Sequence, residues 1–304
     1  MNIKKYTLSI GIPVYNEESN IQRLLKSLYS QTSEKIRIKE IIVSSDGSSD
    51  KTVAKVRSFS NSYIKLRVID NKNRKGIARG LNQIINKCSS DILVTLDGDI
   101  QITDKYFIEK LVSPIFIGNA DLTSSTTAEL PPVSKVAKAL FVSMKLKRIL
   151  FNSFSNGNNL YTCFGLARGY SKRFYKKLNF KVSIGNDMYS YLSCLSFGFN
   201  FIHSKEAVAY YRLPETFIDH EKQSTRFLAS PQELTKHFGD TLLNKETKIP
   251  FISIIKTIFT AIPTILKSPL DLLYYMWIQL NVRKRRPTYS INQAWDIATT
   301  SKHL

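Results

Sequence analysis

Along the first hundred residues, apolar positions change period in a regular alternation. Leu8, Ile10, Ile12 and Val14 repeat every second residue and predict a strand, whereas Ile21, Leu24, Leu25 and Leu28 follow at helical spacing. The short apolar run Glu40–Ser44 predicts a second strand, with Thr52, Val53, Val56 and Phe59 marking a helix after it. Leu66–Ile69 predicts a third strand, Ile77, Leu81, Ile84 and Ile85 a third helix, and Ile92–Leu96 a buried strand that stops at Asp97. Repeated β-α units of this kind predict a mainly parallel sheet with helices on both faces, whose ligands bind beyond the carboxyl ends of the strands.

Further along, the pattern loosens. Residues 134–151 predict a basic amphipathic helix, 185–198 another helix and 199–211 an extended segment. Residues 249–282 are strongly apolar but broken by Lys256, Pro263, Lys267, Pro269 and Asp271, and Arg283–Arg286 follow directly. No run of about eighteen uncharged apolar residues is present, so no single helix is expected to span a bilayer. Each of these two segments instead suits the interface, with Tyr274, Tyr275 and Trp277 at headgroup depth and the basic cluster on anionic lipid. The alternatives for 249–282 are ordinary core helices packed against the rest of the chain and a tilted hairpin of two short helices dipping into the membrane. There is no internal repeat and no low-complexity segment.

Charge sharpens this picture. The 304 residues carry 44 Lys+Arg against 24 Asp+Glu, a net charge of +20, which points to an anionic partner. No acidic residue occurs between Glu129 and Asp187, where Lys135, Lys138, Lys145, Lys147, Arg148, Arg168, Lys172, Arg173, Lys176, Lys177 and Lys181 all fall, and an anion-facing surface is expected there. No zinc-finger spacing and no RNA-recognition aromatic motif is present, so nucleic acid is not the expected partner. Cys88, Cys163 and Cys194 are scattered and read as buried thiols of a reducing compartment. The start, MNIKKYTLSIGIPVYN, lacks the apolar region and cleavage site of a signal peptide and reads as running directly into a strand.

Three polar motifs fall at predicted strand ends. Ser44-Ser45-Asp46-Gly47-Ser48-Ser49-Asp50 offers acceptors for a base or ribose, with Gly47 allowing a tight turn and Asp50 placed to cap the next helix. Asn71-Lys72-Asn73-Arg74-Lys75-Gly76, followed by Arg79 and Asn82, sets a basic loop at a helix start, an arrangement suited to phosphate. Asp97-Gly98-Asp99 places two carboxylates one residue apart, a half-site for Mg²⁺ or Mn²⁺ whose other ligands would be phosphate and water. The alternative for each is a plain turn or solvated loop.

Taken with Ile12-Pro13-Val14-Tyr15-Asn16-Glu17-Glu18, and in this order and spacing, these motifs resemble those of the inverting family-2 glycosyltransferases of GT-A fold. The resemblance covers about residues 6–230. It implies a Rossmann-like, mixed and mainly parallel sheet flanked by helices. Residues 1–230 would be the catalytic domain, with a nucleotide-binding half (1–105) and an acceptor-binding half (106–230). Residues 231–304 would be a C-terminal membrane-associating segment of amphipathic helices.

By the same resemblance, Pro13, Tyr15 and Glu17 line the nucleotide pocket. Asp46 binds the base, most often uracil in this family, although Ser45 stands where relatives often carry an acidic residue. Lys75, Gly76 and Arg79 belong to the donor site, Asp97 contacts ribose or metal, and Asp99 ligates the metal. Asp187 falls where the family places its general base, with Asn186 in place of the usual Glu. Gln223-Ser224-Thr225-Arg226-Phe227 is similar to the family's Q-x-x-R-W motif, with Phe227 for Trp, and Arg226 would neutralise the leaving diphosphate. His220 would reach the metal or the diphosphate.

The expected enzyme is therefore an inverting, metal-dependent hexosyltransferase that moves a sugar from a nucleotide-sugar, UDP-linked by preference, to a lipid-linked or glycan acceptor. It is expected at the cytoplasmic face of a membrane, peripheral or monotopic. A catalytically impaired scaffold of the same fold and a processive polysaccharide synthase are the alternatives.

Overall fold

The computed structural model describes residues 5–59, 63–284 and 300–302. The alternation read from the sequence is present. In chain order it runs β1 (Tyr6–Val14), α1 (Ile21–Tyr29), β2 (Ile36–Ser45), α2 (Thr52–Arg57), β3 (Lys65–Asp70), α3 (Ile77–Lys87) and β4 (Ile92–Leu96). It continues with α4 (Phe107–Phe116), β5 (Leu122–Glu129), α5 (Lys135–Asn152), β6 (Ala167–Ser171), α6 (Lys172–Tyr175), α7 (Asn186–Ser196) and β7 (Phe201–Tyr211). Three helices complete it: α8 (Phe217–Thr247), α9 (Phe251–Lys267) and α10 (Pro269–Lys284).

The seven strands form one sheet in the order β3-β2-β1-β4-β6-β5-β7. β1 pairs in parallel with β2 and β4, β2 with β3, and β5 with β7, while β6 runs antiparallel to both of its neighbours. Every second residue of β1 (Leu8, Ile10, Ile12, Val14) packs with α1 and α4 on one face of the sheet. On the other face Ile42, Leu93, Leu122 and Tyr170 pack with α3, α7 and two leucines of α8. The central strands are thus sealed on both sides, and the open positions are the loops at their carboxyl ends.

β5 and β6 were invisible to a hydrophobicity reading for a physical reason. β5 reads LTSSTTAE, yet Ser124 and Ser125 are fully buried, Ser124 Oγ donating to the Thr162 carbonyl at 2.6 Å. β6 carries Arg168 into the core at 1% exposure. Both strands bury polar groups, Ser124 and Arg168 with partners inside and Thr123 Oγ1 and Ser125 Oγ with none among the described residues, so neither shows an apolar stripe.

Ser134 caps α5 by accepting from the Ala137 amide at 3.0 Å. Arg148 of this helix donates to Glu129 of β5, and Tyr211 of β7 donates to the same carboxylate at 3.2 Å, fixing α5 to the sheet. The boundary expected at residue 230 falls inside α8, whose helical backbone breaks instead at Gly239 (φ 74). Val136 and Leu140 of α5 pack with Ile278 and Val282 of α10 in a third apolar cluster.

Residues 249–282 do not form ordinary core helices. In α9 only Ser253 and Ala261 are buried, and in α10 only Ile278 and Val282. Phe251, Phe259 and Leu266 of α9 and Leu270, Leu273 and Trp277 of α10 stand exposed, Leu270 by 78%. Among the described residues no single helix is long and apolar enough to cross a membrane, although α8 and α9, bent by 51°, pass that test as a pair. Arg285 and Arg286 of the basic cluster lie outside the described residues.

Candidate active site

The loops after β1 and β2 interlock. The Asn16 amide donates to Ser48 Oγ at 3.1 Å, Asn16 Oδ1 accepts from the Ser49 amide at 2.9 Å, and the Glu17 amide donates to Thr52 Oγ1 at 2.7 Å. Asp50 accepts from the Glu18 amide at 3.1 Å and the Thr52 amide at 2.9 Å, so it ties this loop to the start of α2. Gly47 has φ 75, and a Cβ there would lie 2.9 Å from the Arg74 backbone nitrogen; the turn requires glycine.

The third loop is held from the same place. Asp46 accepts from the Lys75 amide at 2.8 Å and the Gly76 amide at 2.7 Å. Asp46 thus locks the loop before α3 through the amides of Lys75 and the N-cap Gly76, which lie ahead of the first-turn amides of the helix. The Arg74 guanidinium lies 4.1 Å from the centre of the Tyr15 ring. Pro13 packs against α3, its Cβ 3.4 Å from where a Gly80 side chain would begin. The Lys75 side chain is exposed and the half-buried Arg79 reaches the Asn73 carbonyl at 3.5 Å.

The carboxylates converge beside these loops. Asp97 follows β4, its amide donating to the Leu166 carbonyl at 2.9 Å. A Cβ on Gly98 would lie 2.8 Å from Glu17 Cγ, so the absence of a side chain lets Glu17 close on the Asp97–Asp99 turn. A Cβ on Gly165 would lie 4.0 Å from Asp97 Oδ2 and 3.9 Å from Asp187 Oδ2, so Asp187 faces the same space from the first turn of α7.

Crowded like charges show in the acid strengths. Burial and the Asp99 charge push Asp97 up to about 7, with Asp187 and Glu17 adding to the rise and Arg168 opposing it. Burial and Asp99 likewise push Glu17 up to about 7, against the pull of Lys302 and Asn20. Burial raises Asp99 too, while Lys302 and Arg226 pull it down. Arg226, on α8, therefore acts on the Asp-x-Asp turn, and Gln223 lies half-buried one helical turn before it.

His220 does not join this cluster. Its Nε2 meets Ser224 Oγ at 3.1 Å and Gln279 Nε2 of α10 at 3.0 Å, and burial, with Lys147 nearby, lowers it to about 4. The neutral ring accepts from the Gln279 amide, so its lone pair is already used and the metal role expected for it does not fit.

The basic run between Glu129 and Asp187 is not one surface either. It divides among α5, β6, α6 and the segment after α6, with Arg148 on Glu129, Arg173 on Asp121 and Arg168 buried. Arg168 is a site residue that reading the sequence missed. It donates at 2.8 Å to the Asn186 carbonyl and to Ser190 Oγ, and also to Asn186 Oδ1, so it grips the start of α7 beside Asp97 and Asp187. Asn186 serves as a neutral acceptor for that guanidinium. Lys302 is the second omission; only its fold-level position reveals it.

Among the described residues, no three His, Cys, Asp or Glu side chains converge closely enough to hold a metal by themselves. The donor set still fits a hard divalent cation. Asp97 and Asp99 offer carboxylate oxygens on one turn, and an adjacent cation would relieve the burial and crowding of negative charge that raise their pKa values. Mg²⁺ and Mn²⁺ characteristically take one or two carboxylates and leave the other positions to phosphate and water.

The fold is that of the GT-A glycosyltransferases. A mannosyltransferase of Pyrobaculum calidifontis, solved with GDP-Man and Mn²⁺, superposes with a TM-score of 0.58 over 95% of this chain and 78% of its own, at 16% identity. The family model of Glycosyl transferase family 2 matches residues 9–178, more than half of the chain, and the chain belongs to that family. The glycosyltransferase AglE of Haloferax volcanii is 36% identical over 115 residues, 38% of this chain and 37% of that protein. An Escherichia coli protein, UDP-Glc:alpha-D-GlcNAc-diphosphoundecaprenol beta-1,3-glucosyltransferase WfgD, is 37% identical over 94 residues, 31% of this chain and 35% of that protein. The matches thus span just over a third of the length of these curated relatives.

Proposed function

We propose that this chain is an inverting glycosyltransferase that uses a divalent metal to move a sugar from a nucleotide-sugar to a lipid-linked acceptor. The observation that carries the reading is the convergence of Asp97, Asp99 and Asp187 with Arg226 and Arg168 beyond the carboxyl ends of the strands. Asp97 and Asp99 would hold the cation, Mg²⁺ or Mn²⁺, which when bound would offset charge on the diphosphate. Arg226 shares that task from α8 with its guanidinium fork. Asp187 takes the proton of the acceptor hydroxyl as its oxygen bonds to the anomeric carbon and the bond from that carbon to the diphosphate breaks, so nucleoside diphosphate leaves and this one displacement inverts the anomeric centre. Arg168 positions Asp187 by holding Asn186 and Ser190.

A UDP-sugar is the preferred donor, in keeping with WfgD, though the mannosyltransferase neighbour was solved with GDP-Man. The lipid-linked acceptor is supported by WfgD's diphosphoundecaprenol substrate and by the apolar face of α9 and α10. That face, with Lys256, Lys267, Arg283 and Lys284 beside it, suits an anionic leaflet of the kind that faces the cytoplasm, and we place the protein there as a peripheral or monotopic enzyme. The test is nucleotide release from UDP-Glc, UDP-GlcNAc and GDP-Man with polyprenyl-diphosphate-sugar acceptors and Mn²⁺ or Mg²⁺. Acceptor-dependent release abolished by EDTA is expected. Turnover unaffected by EDTA would overturn the metal-dependent reading.

A further inference from the structure

Lys302 reaches the site from the far end of the sequence. Its Nζ donates to the Tyr15 carbonyl at 2.6 Å, to the Asn16 carbonyl at 3.4 Å and to Glu17 Oε1, and Asn20 Nδ2 donates to its carbonyl. The side chain is 18% exposed. The turn Thr300–Lys302 is moored separately on α8: the Thr300 amide and hydroxyl donate to Asp219 Oδ2 at 2.9 and 2.6 Å, and the Glu215 amide donates to Thr300 Oγ1 at 3.2 Å.

An ammonium has three donors, and here all three are spent on the loop after β1. In this position it offers none to a phosphate. It pairs with Glu17, whose side chain lies against the Asp97–Asp99 turn, so its charge sits beside the cation half-site. A divalent cation arriving at Asp99 would meet a positive charge already in place, and a nucleotide seated on Tyr15 and Glu17 would meet the Lys302 stem.

Building on the metal-dependent reading above, we infer that Lys302 is an internal counter-ion that closes the donor site of the metal-free enzyme, and that the Thr300–Lys302 turn is displaced when the cation binds. The chain would then inhibit itself by competition, with the cation as the releasing ligand. Release needs no covalent change: the ion pair of Lys302 with Glu17 gives way to the cation, and the hydrogen bonds of Thr300 to Asp219 part with the turn.

The test uses full-length protein, Lys302→Met to keep the stem without the charge, and Lys302→Arg to keep the charge. Mn²⁺ affinity is read from the electron paramagnetic resonance of free Mn²⁺, and exchange of the C-terminal peptide is read by hydrogen-exchange mass spectrometry. Lys302→Met is expected to bind Mn²⁺ about tenfold more tightly, the effect of removing one nearby charge in a partly solvated site, with Lys302→Arg close to wild type. The wild-type C-terminal peptide should be protected without metal and should exchange faster in saturating Mn²⁺. Equal or weaker Mn²⁺ binding by Lys302→Met, or a peptide still protected at saturation, overturns the inference and leaves the metal-dependent reading intact. Absence of Mn²⁺ binding by all three chains overturns both.

Discussion

Asp97 and Asp187 face one another across Gly165, each with a carboxylate oxygen about one atomic contact from the place where a Gly165 side chain would begin, 4.0 and 3.9 Å. One follows β4 and the other opens α7, and Arg168 from β6 holds the α7 end in place. The gap between them is where donor and acceptor chemistry would meet, and it divides the two carboxylates into separable roles.

Asp187→Asn should leave nucleotide-sugar affinity within about twofold of wild type and lower kcat by roughly 100- to 10,000-fold, the usual share of a general base. Donor titration by calorimetry and single-turnover transfer measure the two effects. Parallel loss of donor binding would place Asp187 in the nucleotide pocket instead.

Asp99→Asn should fold with wild-type melting behaviour and lose about a thousandfold in turnover, because a neutral amide is a poor ligand for the cation that stabilises the diphosphate. Mn²⁺ binding measured alongside should weaken in step. Near-normal turnover in Mg²⁺ or Mn²⁺ would remove Asp99 from the metal site.

His203 gives a stability prediction. Between β5 and β7 its ring meets Ser124 Oγ and Thr126 Oγ1, each at 3.2 Å, and burial, helped by Lys205, lowers it from 6.5 to about 4. The unfolded chain therefore takes the proton first, and this contribution to stability is lost as pH falls from 6.5 towards 4. It amounts to about 3 kcal/mol across that window. Glu17 and Asp97, raised to about 7, act with the opposite sign between about 4.5 and 7, so the wild-type curve alone is ambiguous. The quantity to measure is the difference in urea-unfolding free energy between wild type and His203→Gln, which should shrink as pH falls. A constant difference from pH 7 to 4.5 would count against the buried neutral ring.

The membrane assignment is tested by liposome flotation. Full-length protein should float with anionic vesicles at low salt, and less with neutral ones or at high salt. Phe259→Glu, Leu266→Glu and Leu273→Glu together change side chains 69, 74 and 60% exposed, so stability should hold while flotation is lost. Wild-type protein that ignores anionic vesicles would remove the interfacial placement and with it much of the support for a lipid-linked acceptor.

The amino-acid sequence by itself determined the β-α alternation through β4, the ends of those strands, and the polar motifs that follow them. These are local: period-2 and helical stripes repeat within one element, and Asp97-Gly98-Asp99 lies directly after the strand Ile92–Leu96. Tertiary structure decided what depends on distant partners. That the Asp46 carboxylate meets the Lys75 and Gly76 amides is not visible from either segment alone, and His220 reads as a metal ligand until Gln279 of α10 meets its ring. Arg168 reads as part of a basic run until β6 pairs against β4 and β5 and carries it inside. Lys302 and Glu17 stand 285 residues apart, and no periodicity can register such a pair, because chain entropy makes a contact of that span the product of the whole fold and not of any segment within it.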